Sequence, residues 1–282
     1  MIRLAVRVAR SHAEPVLAEL LALVPGGLEE RDLDADTVEY ALYGAAGELP
    51  DVGDLRAAAA GAPVDVSTSE VPDGWEERWR IWHRPLDVGP LRVRPPWEPA
   101  RPGALDVVMD PGQAFGTGAH PSTRLTLELL VDVSGGAGPA GDVGRGAAAG
   151  HRGALADWGC GSGILAVAAA KLGFGPVLAC DAERAAVDAT RAAAAENGVV
   201  VDVSRYDLRA APGPWAPTVL ANLVRPLLLE LAGRLDRPPQ RLIASGLETG
   251  EVDEVAAAFA ARGLALAARR DGDGWSAILL AR

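Results

Sequence analysis

Three glycines, two carboxylates and one amide are the residues in this chain whose types and spacing could do chemistry together. In "ALADWGCGSGILAVAAAKLG", Gly159, Gly161 and Gly163 separate a run that reads as a strand from one that reads as a helix. Glycines at that junction let the backbone approach a ligand at the carboxyl edge of a sheet. The spacing is G-x-G-x-G, and Ile164 stands where a dinucleotide fingerprint requires glycine. Asp181 follows Gly163 by 18 residues and ends the next apolar run, "PVLACDAE". A carboxylate there can accept hydrogen bonds from two ribose hydroxyls. The combination points to a nucleoside ligand and away from a nicotinamide dinucleotide.

Asn222 closes a further apolar run, "PTVLAN", at the same edge. Its side-chain carbonyl can accept a hydrogen from an amine and aim the nitrogen lone pair. It can equally cap the helix that follows. Asp157, directly before the glycines, either orients their loop beside a cationic ligand or caps the turn. Cys160 reads as a small buried side chain, because no His–Asp pairing accompanies it. Upstream, "DPGQAFGTGAHPST" (110–123) gathers glycines and hydroxyls before a helical run. A helix start there offers unpaired N–H groups and the positive end of its dipole. His120 reads as structural, before Pro121; four histidines without ligand spacing give no metal site.

The elements that must position these residues follow from periodicity. From 154 onward, apolar runs alternate with alanine-rich helical stretches: strands at 154–158, 176–181, 199–203, 218–222 and 241–245, helices at 162–172, 183–197, 224–235 and 248–261. That order implies a mainly parallel sheet with helices on both faces. Two last strands, near 264–269 and 275–281, lack a helix between them and are expected as an antiparallel pair at one edge. Residues 134–153 are low in complexity and read as a surface loop. At the other end, strand patterns at 2–8, 28–33, 37–43 and 63–71, with helices at about 11–24 and 51–60, give β-α-β-β-α-β, the ferredoxin-like order. The Trp-, Arg- and Pro-rich stretch 72–102 reads as a connector, with Trp75, Trp79 and Trp82 as a packing stripe. The expected division is therefore 1–71, a linker over 72–102, and 103–282.

Composition narrows the function classes. No run of about 18 apolar residues is present, and "MIRLAVRVAR" lacks a signal-peptide core. A cytoplasmic protein, free of membranes, is expected. Two cysteines make no disulfide framework. A net charge of -11 argues against direct binding of nucleic acid. Residues 1–65 hold twelve acids against five arginines, a net of -7, which fits either a solvated surface or a dock for a basic partner.

The acid before the glycines fits S-adenosylmethionine-dependent methyltransferases, and the longer motifs narrow the match. The stretches "DPGQAFGTGAHPST", "DWGCGSGILAVAAAKLG", "ANL" with Pro226, "LIASGLE" and "RPPWEP" resemble the PrmA family, methyltransferases of ribosomal protein L11. The resemblance covers most of 75–282. It implies a class I methyltransferase: α/β, Rossmann-like, with a mostly parallel seven-stranded sheet and a small α+β ferredoxin-like N-terminal substrate-recognition domain. It implies S-adenosylmethionine held by Thr123, Asp157, Gly159, Gly161, Gly163, Asp181 and Asn222, under a lid of Gly116, Thr117 and Gly118. Phe115 and Asn222 would line the methyl-transfer chamber. The implied substrate is a lysine ε-amine or terminal α-amine of a basic ribosomal protein, and a monomer is expected. The alternatives are a related lysine methyltransferase for a non-ribosomal protein and a non-catalytic S-adenosylmethionine-binding protein. Three departures stand out: "HPST" for the family's "HPTT", "CDAERAAV" at the sugar-side loop, and the 134–153 insertion.

Overall fold

The computed structural model describes residues 2–13, 16–17, 20, 28–34, 36–44, 49–50, 55, 63–70, 84–110, 120–135 and 152–282. Two compact units divide between Trp82 and His83. The Trp75/Trp79/Trp82 stripe, most of the 134–153 loop and most of the two N-terminal helices lie outside the described residues.

In the first unit, β1 (Ile2–Ala9), β2 (Glu29–Asp32), β3 (Thr37–Gly44) and β4 (Val64–Glu70) form a sheet of order β2-β3-β1-β4. All its pairings are antiparallel, and the order is the ferredoxin-like one that the element sequence implies. Leu4, Val6 and Val8 alternate with Arg3 and Arg7, so one face carries the apolar row. That row packs with Val38, Tyr40 and Leu42 and with the helical residues Val16, Leu20 and Leu55. On the opposite face Glu39 is buried between two arginines, with Arg7 Nε at 2.7 Å and Arg3 also bonded.

The second unit begins earlier than the sequence suggests. Residues 84–102, expected as connector, carry β5 (Leu86–Val88) and β6 (Leu91–Arg94), which pair with β7 (Leu105–Val108) in a three-stranded sheet. The apolar alternation Leu86, Val88, Leu91, Val93 is short and interrupted by charge, which hides it. Those charges are paired: Arg94 with Asp106 at 3.2 Å and Arg101 with Asp87 at 2.9 Å.

The main elements of this unit come next. These are α1 (Pro121–Gly135), β8 (Leu155–Trp158), α2 (Ile164–Lys171), β9 (Val177–Asp181), α3 (Arg184–Glu196), β10 (Asp202–Arg205), β11 (Thr218–Asn222), α4 (Arg225–Arg234), β12 (Arg241–Glu248), α5 (Val252–Ala260), β13 (Ala265–Gly272) and β14 (Trp275–Ala281). The seven-stranded sheet has order β10-β9-β8-β11-β12-β14-β13. It is parallel except for β14, which runs antiparallel to both β12 and β13. The expected antiparallel pair is present, with β14 inserted between β12 and the edge strand β13.

Period-two alternation splits the core. Leu155, Val177, Ala179, Leu220 and Ile243 face α1, α2 and α3. Ala156, Trp158, Cys180, Val219, Ala221 and Leu242 face α4 and α5. The strand order reverses between β8 and β11, and such a switch point opens a crevice at the carboxyl ends of the strands.

Asn197, just past α3, ties the end of the small sheet to that helix. Its Oδ1 accepts the Val108 N–H at 2.7 Å, and its Nδ2 lies 2.8 Å from both the Val108 and Ala193 carbonyls. The amide thus stands in for a neighbouring strand residue at the end of β7. Asn197→Ala leaves the Val108 groups unpaired and should cost about 2–3 kcal/mol. Urea unfolding of wild type and variant measures the difference.

Candidate active site

The glycine loop leaves β8 at the switch point. Gly159, Gly161 and Gly163 have φ of 75°, 51° and 82°, a region closed to most side chains. Two of them also stand where no Cβ fits. A Cβ on Gly159 would come within 2.4 Å of Leu223 Cδ2, and one on Gly163 within 2.8 Å of the Thr190 Cα in α3. Gly163 therefore serves the packing of α2 on α3.

Asp181 holds this loop. Its Oδ2 accepts the Gly161 N–H and its Oδ1 the Glu183 N–H, both at 3.0 Å. The N–H groups of Gly159 and Cys160 donate to the Cys180 carbonyl at 2.8 and 3.0 Å. The loop is thus tied to the end of β9 before any ligand arrives. A carboxylate has about four lone-pair positions, so two accepted N–H groups leave capacity for further donors.

Asp157 is wholly buried, and among the described residues neither carboxylate oxygen makes a full hydrogen bond; only the backbone N–H of Ala166 bears on it as a donor. Desolvation lifts its pKa to about 7, the backbone N–H of Ala166 in the first turn of α2 opposes the rise, and the charge of Asp181 adds to it. The two thiols beside it are inert: burial pushes Cys160 and Cys180 up to about 12. That agrees with the reading of Cys160 as a packing residue.

Asn222 ends β11 on the same sheet face as Asp157 and Asp181, because each is an even number of residues from its strand's contribution to that core. Its Nδ2 lies 3.4 Å from Thr123 Oγ1. Thr123 sits in the first turn of α1, where Pro121 occupies the first helical position. His120 precedes that proline and acts as a cap: Nδ1 accepts the Ser122 N–H at 3.3 Å and lies 2.7 Å from Ser122 Oγ. Its ring meets Trp275 edge-on with centroids 4.5 Å apart. Desolvation lowers the His120 pKa, which favours the neutral ring that an accepting Nδ1 requires. The alternation of sheet faces and the hydrogen bond between Asn222 and Thr123 thus bring together residues 99 positions apart.

With this geometry in view, the likeness to known proteins becomes decisive. The sequence profile of the PrmA family, ribosomal protein L11 methyltransferase, matches residues 26–282. The chain belongs to this family. The ribosomal protein L11 methyltransferase of Geobacter metallireducens is 39% identical over 228 residues, covering 78% of this chain and 70% of that protein. The one from Burkholderia lata is 33% identical across 96% of this chain and 95% of its own length. The crystal structure of the ribosomal protein L11 methylase from Lactobacillus delbrueckii subsp. bulgaricus superimposes with a TM-score of 0.58 at 26% identity, covering 70% of this chain and 98% of that one. Like the rest of the PrmA family, the chain is an S-adenosylmethionine-dependent methyltransferase with the class I fold.

The residues present fit that methyl donor. The buried Asp157 carboxylate, with no cation paired to it among the described residues, suits a cationic group, and the glycine loop offers backbone without side chains at the crevice. Phe115, Gly116, Thr117 and Gly118 lie outside the described residues. Sequence reasoning gave no role to Thr190, Leu223, Ser245 or Gly246, which border the loop or Asn222, nor to Ser122 and Trp275, which meet Ser245 and His120. A glycine inside the strand-like "LIASGLE" was the one available signal, since such glycines mark bulges or close approach.

The Asp157 environment has a pH consequence. A carboxyl raised above its ordinary value contributes stability that is whole below about pH 4 and is lost as pH rises through about 7. The melting temperature of the ligand-free chain should therefore fall between about pH 5 and about pH 7. In Asp157→Asn that slope should flatten, as differential scanning calorimetry at both values would show.

Proposed function

We propose that this chain transfers methyl groups from S-adenosylmethionine to amines of ribosomal protein L11, either lysine ε-amines or the terminal α-amine. The observation that carries this reading is the Asn222–Thr123 pair at the switch point. With Nδ2 turned to Thr123 Oγ1, the Asn222 carbonyl oxygen remains as an acceptor. An amine donating one hydrogen to it presents its lone pair in a fixed direction, which is the proximity contribution to catalysis.

In this reading Asp181 takes the ribose hydroxyls with its remaining lone pairs. Gly159, Gly161 and Gly163 pass under the amino-acid end, and Asp157 balances positive charge there. The bound cofactor supplies an electrophilic methyl group on a sulfonium sulfur. A lysine amine has a reference pKa of about 10.4 and must lose its proton before it can attack. Apolar neighbours such as Leu223 favour the neutral amine, because desolvation penalises the ammonium.

The first unit is the proposed dock for a basic substrate. Its edge strand β2 exposes Glu29, Glu30 and Asp32, and residues 1–65 carry a net charge of -7. A net charge of -11 over the chain opposes a nucleic-acid partner. The chain is proposed to act as a monomer in the cytoplasm. Among the described residues no helix is long and apolar enough to cross a membrane.

Mass spectrometry of L11 incubated with the chain and labelled S-adenosylmethionine tests the activity and counts the methyl groups. Asp181→Ala should weaken cofactor binding by about tenfold or more in calorimetry, given the strength of hydrogen bonds to a charged group. Asn222→Ala should leave that affinity close to wild type and lower kcat about a hundredfold. Full activity in both variants would rule the site out.

A further inference from the structure

Strand β12 breaks step with β14 at one place. The register shifts between Ser245 and Leu247, and the residue passed over, Gly246, has φ +80°. This is a β-bulge, a feature that re-aims backbone beside functional groups. A Cβ on Gly246 would stand 2.6 Å from the Leu223 carbonyl oxygen and 3.0 Å from Asn222 Oδ1. The first of these atoms is backbone and cannot swing aside as a side chain does.

Ser245, the residue before the bulge, is fully buried. Its carbonyl accepts the Leu223 N–H at 3.0 Å. Its Oγ lies 3.1 Å from the Ser122 carbonyl and 3.2 Å from the Ser276 carbonyl, both acceptors for its one proton. Ser122 adjoins Thr123. Two consecutive residues of β12 therefore border both members of the Asn222–Thr123 pair. On its other side Leu223 is bounded by Gly159, the residue whose Cβ would strike it. The turn after Asn222 is held between left-handed glycines from the two strands that flank β11.

We propose that Ser245 and Gly246 are positioning residues for methyl transfer: Gly246 sets the Asn222 side chain, and Ser245 holds the first turn of α1 that carries Thr123. This rests on the role of Asn222 proposed above. Neither residue needs to touch the reacting atoms. The bulge gives the amide its room, and the serine hydroxyl ties α1 to the strand beside it.

The test compares kcat and KM of full-length variants with L11 as acceptor. Gly246→Ala should lower kcat between about tenfold and a hundredfold, because displacement of about 1 Å costs that much, while KM for S-adenosylmethionine stays near wild type. Ser245→Ala should lower kcat in the same direction without adding bulk. Gly263→Ala is the control, since Gly263 has φ +82° and nothing within 4 Å of its would-be Cβ. It imposes the same backbone strain away from the site, so its melting temperature should fall while kcat holds. In an Asn222→Ala background, Gly246→Ala and Ser245→Ala should cause no further loss of kcat.

Wild-type kcat in Gly246→Ala, or a full additional loss in the Asn222→Ala background, would overturn the proposal. Should Gly246→Ala not fold, Ser245→Ala decides by the same cycle, and an unchanged kcat there is equally fatal. If Asn222→Ala itself turns over at the wild-type rate, the reading of Asn222 falls and this inference with it. A slow Asn222→Ala beside a fast Gly246→Ala removes this inference alone.

Discussion

The site depends on the two hydrogen bonds accepted by Asp181. One oxygen holds Gly161 in the glycine loop and the other holds Glu183 before α3. A loop of positive-φ glycines has much conformational entropy to lose. The carboxylate lets β9 settle that cost during folding, before a ligand binds. Gly163 closes the same loop from the far side by letting α2 approach Thr190. Asp181 thus serves structure with half its lone pairs, and the proposed ribose contact uses the other half.

From that anchor the rest follows by strand alternation. Asp157, Asp181, Asn222 and Ser245 project to one face because each keeps step with Leu155, Ala179, Leu220 and Ile243. A one-residue slip in any of these strands would send its polar residue into the opposite core. The apolar residues specify the register, and the register places the chemistry. The face that binds and the face that only packs are distinguished by the same period of two.

Much of this was legible beforehand. Long apolar runs and alanine-rich helices announced the parallel sheet, and the elements fall within a few residues of their expected positions. The strand near 199–203 is displaced to Asp202–Arg205, where only Val203 is buried and the apolar signal is thin. The β5–β6 hairpin was hidden because strands of three and four residues, rich in arginine and flanked by proline, resemble a connector. Asp157 could be picked out by its place just ahead of the glycines, and Asp181 by its place at the end of the next apolar run. Ser245 and Gly246 could not be assigned a task, because what they do depends on β11 and α1, segments distant in sequence. His120 was read as structural from its proline neighbour, and its capping bond bears that out.

The two native thiols have a practical consequence for experiments on this chain. Cys160 lies behind Thr190 and Cys180 inside the sheet, and both hold their protons far above neutrality. Maleimide and iodoacetamide consume thiolates, and these two supply almost none. A cysteine engineered onto the surface of either unit could carry a fluorophore without first deleting the originals. The response of that fluorophore to ligand could then be followed in otherwise wild-type protein.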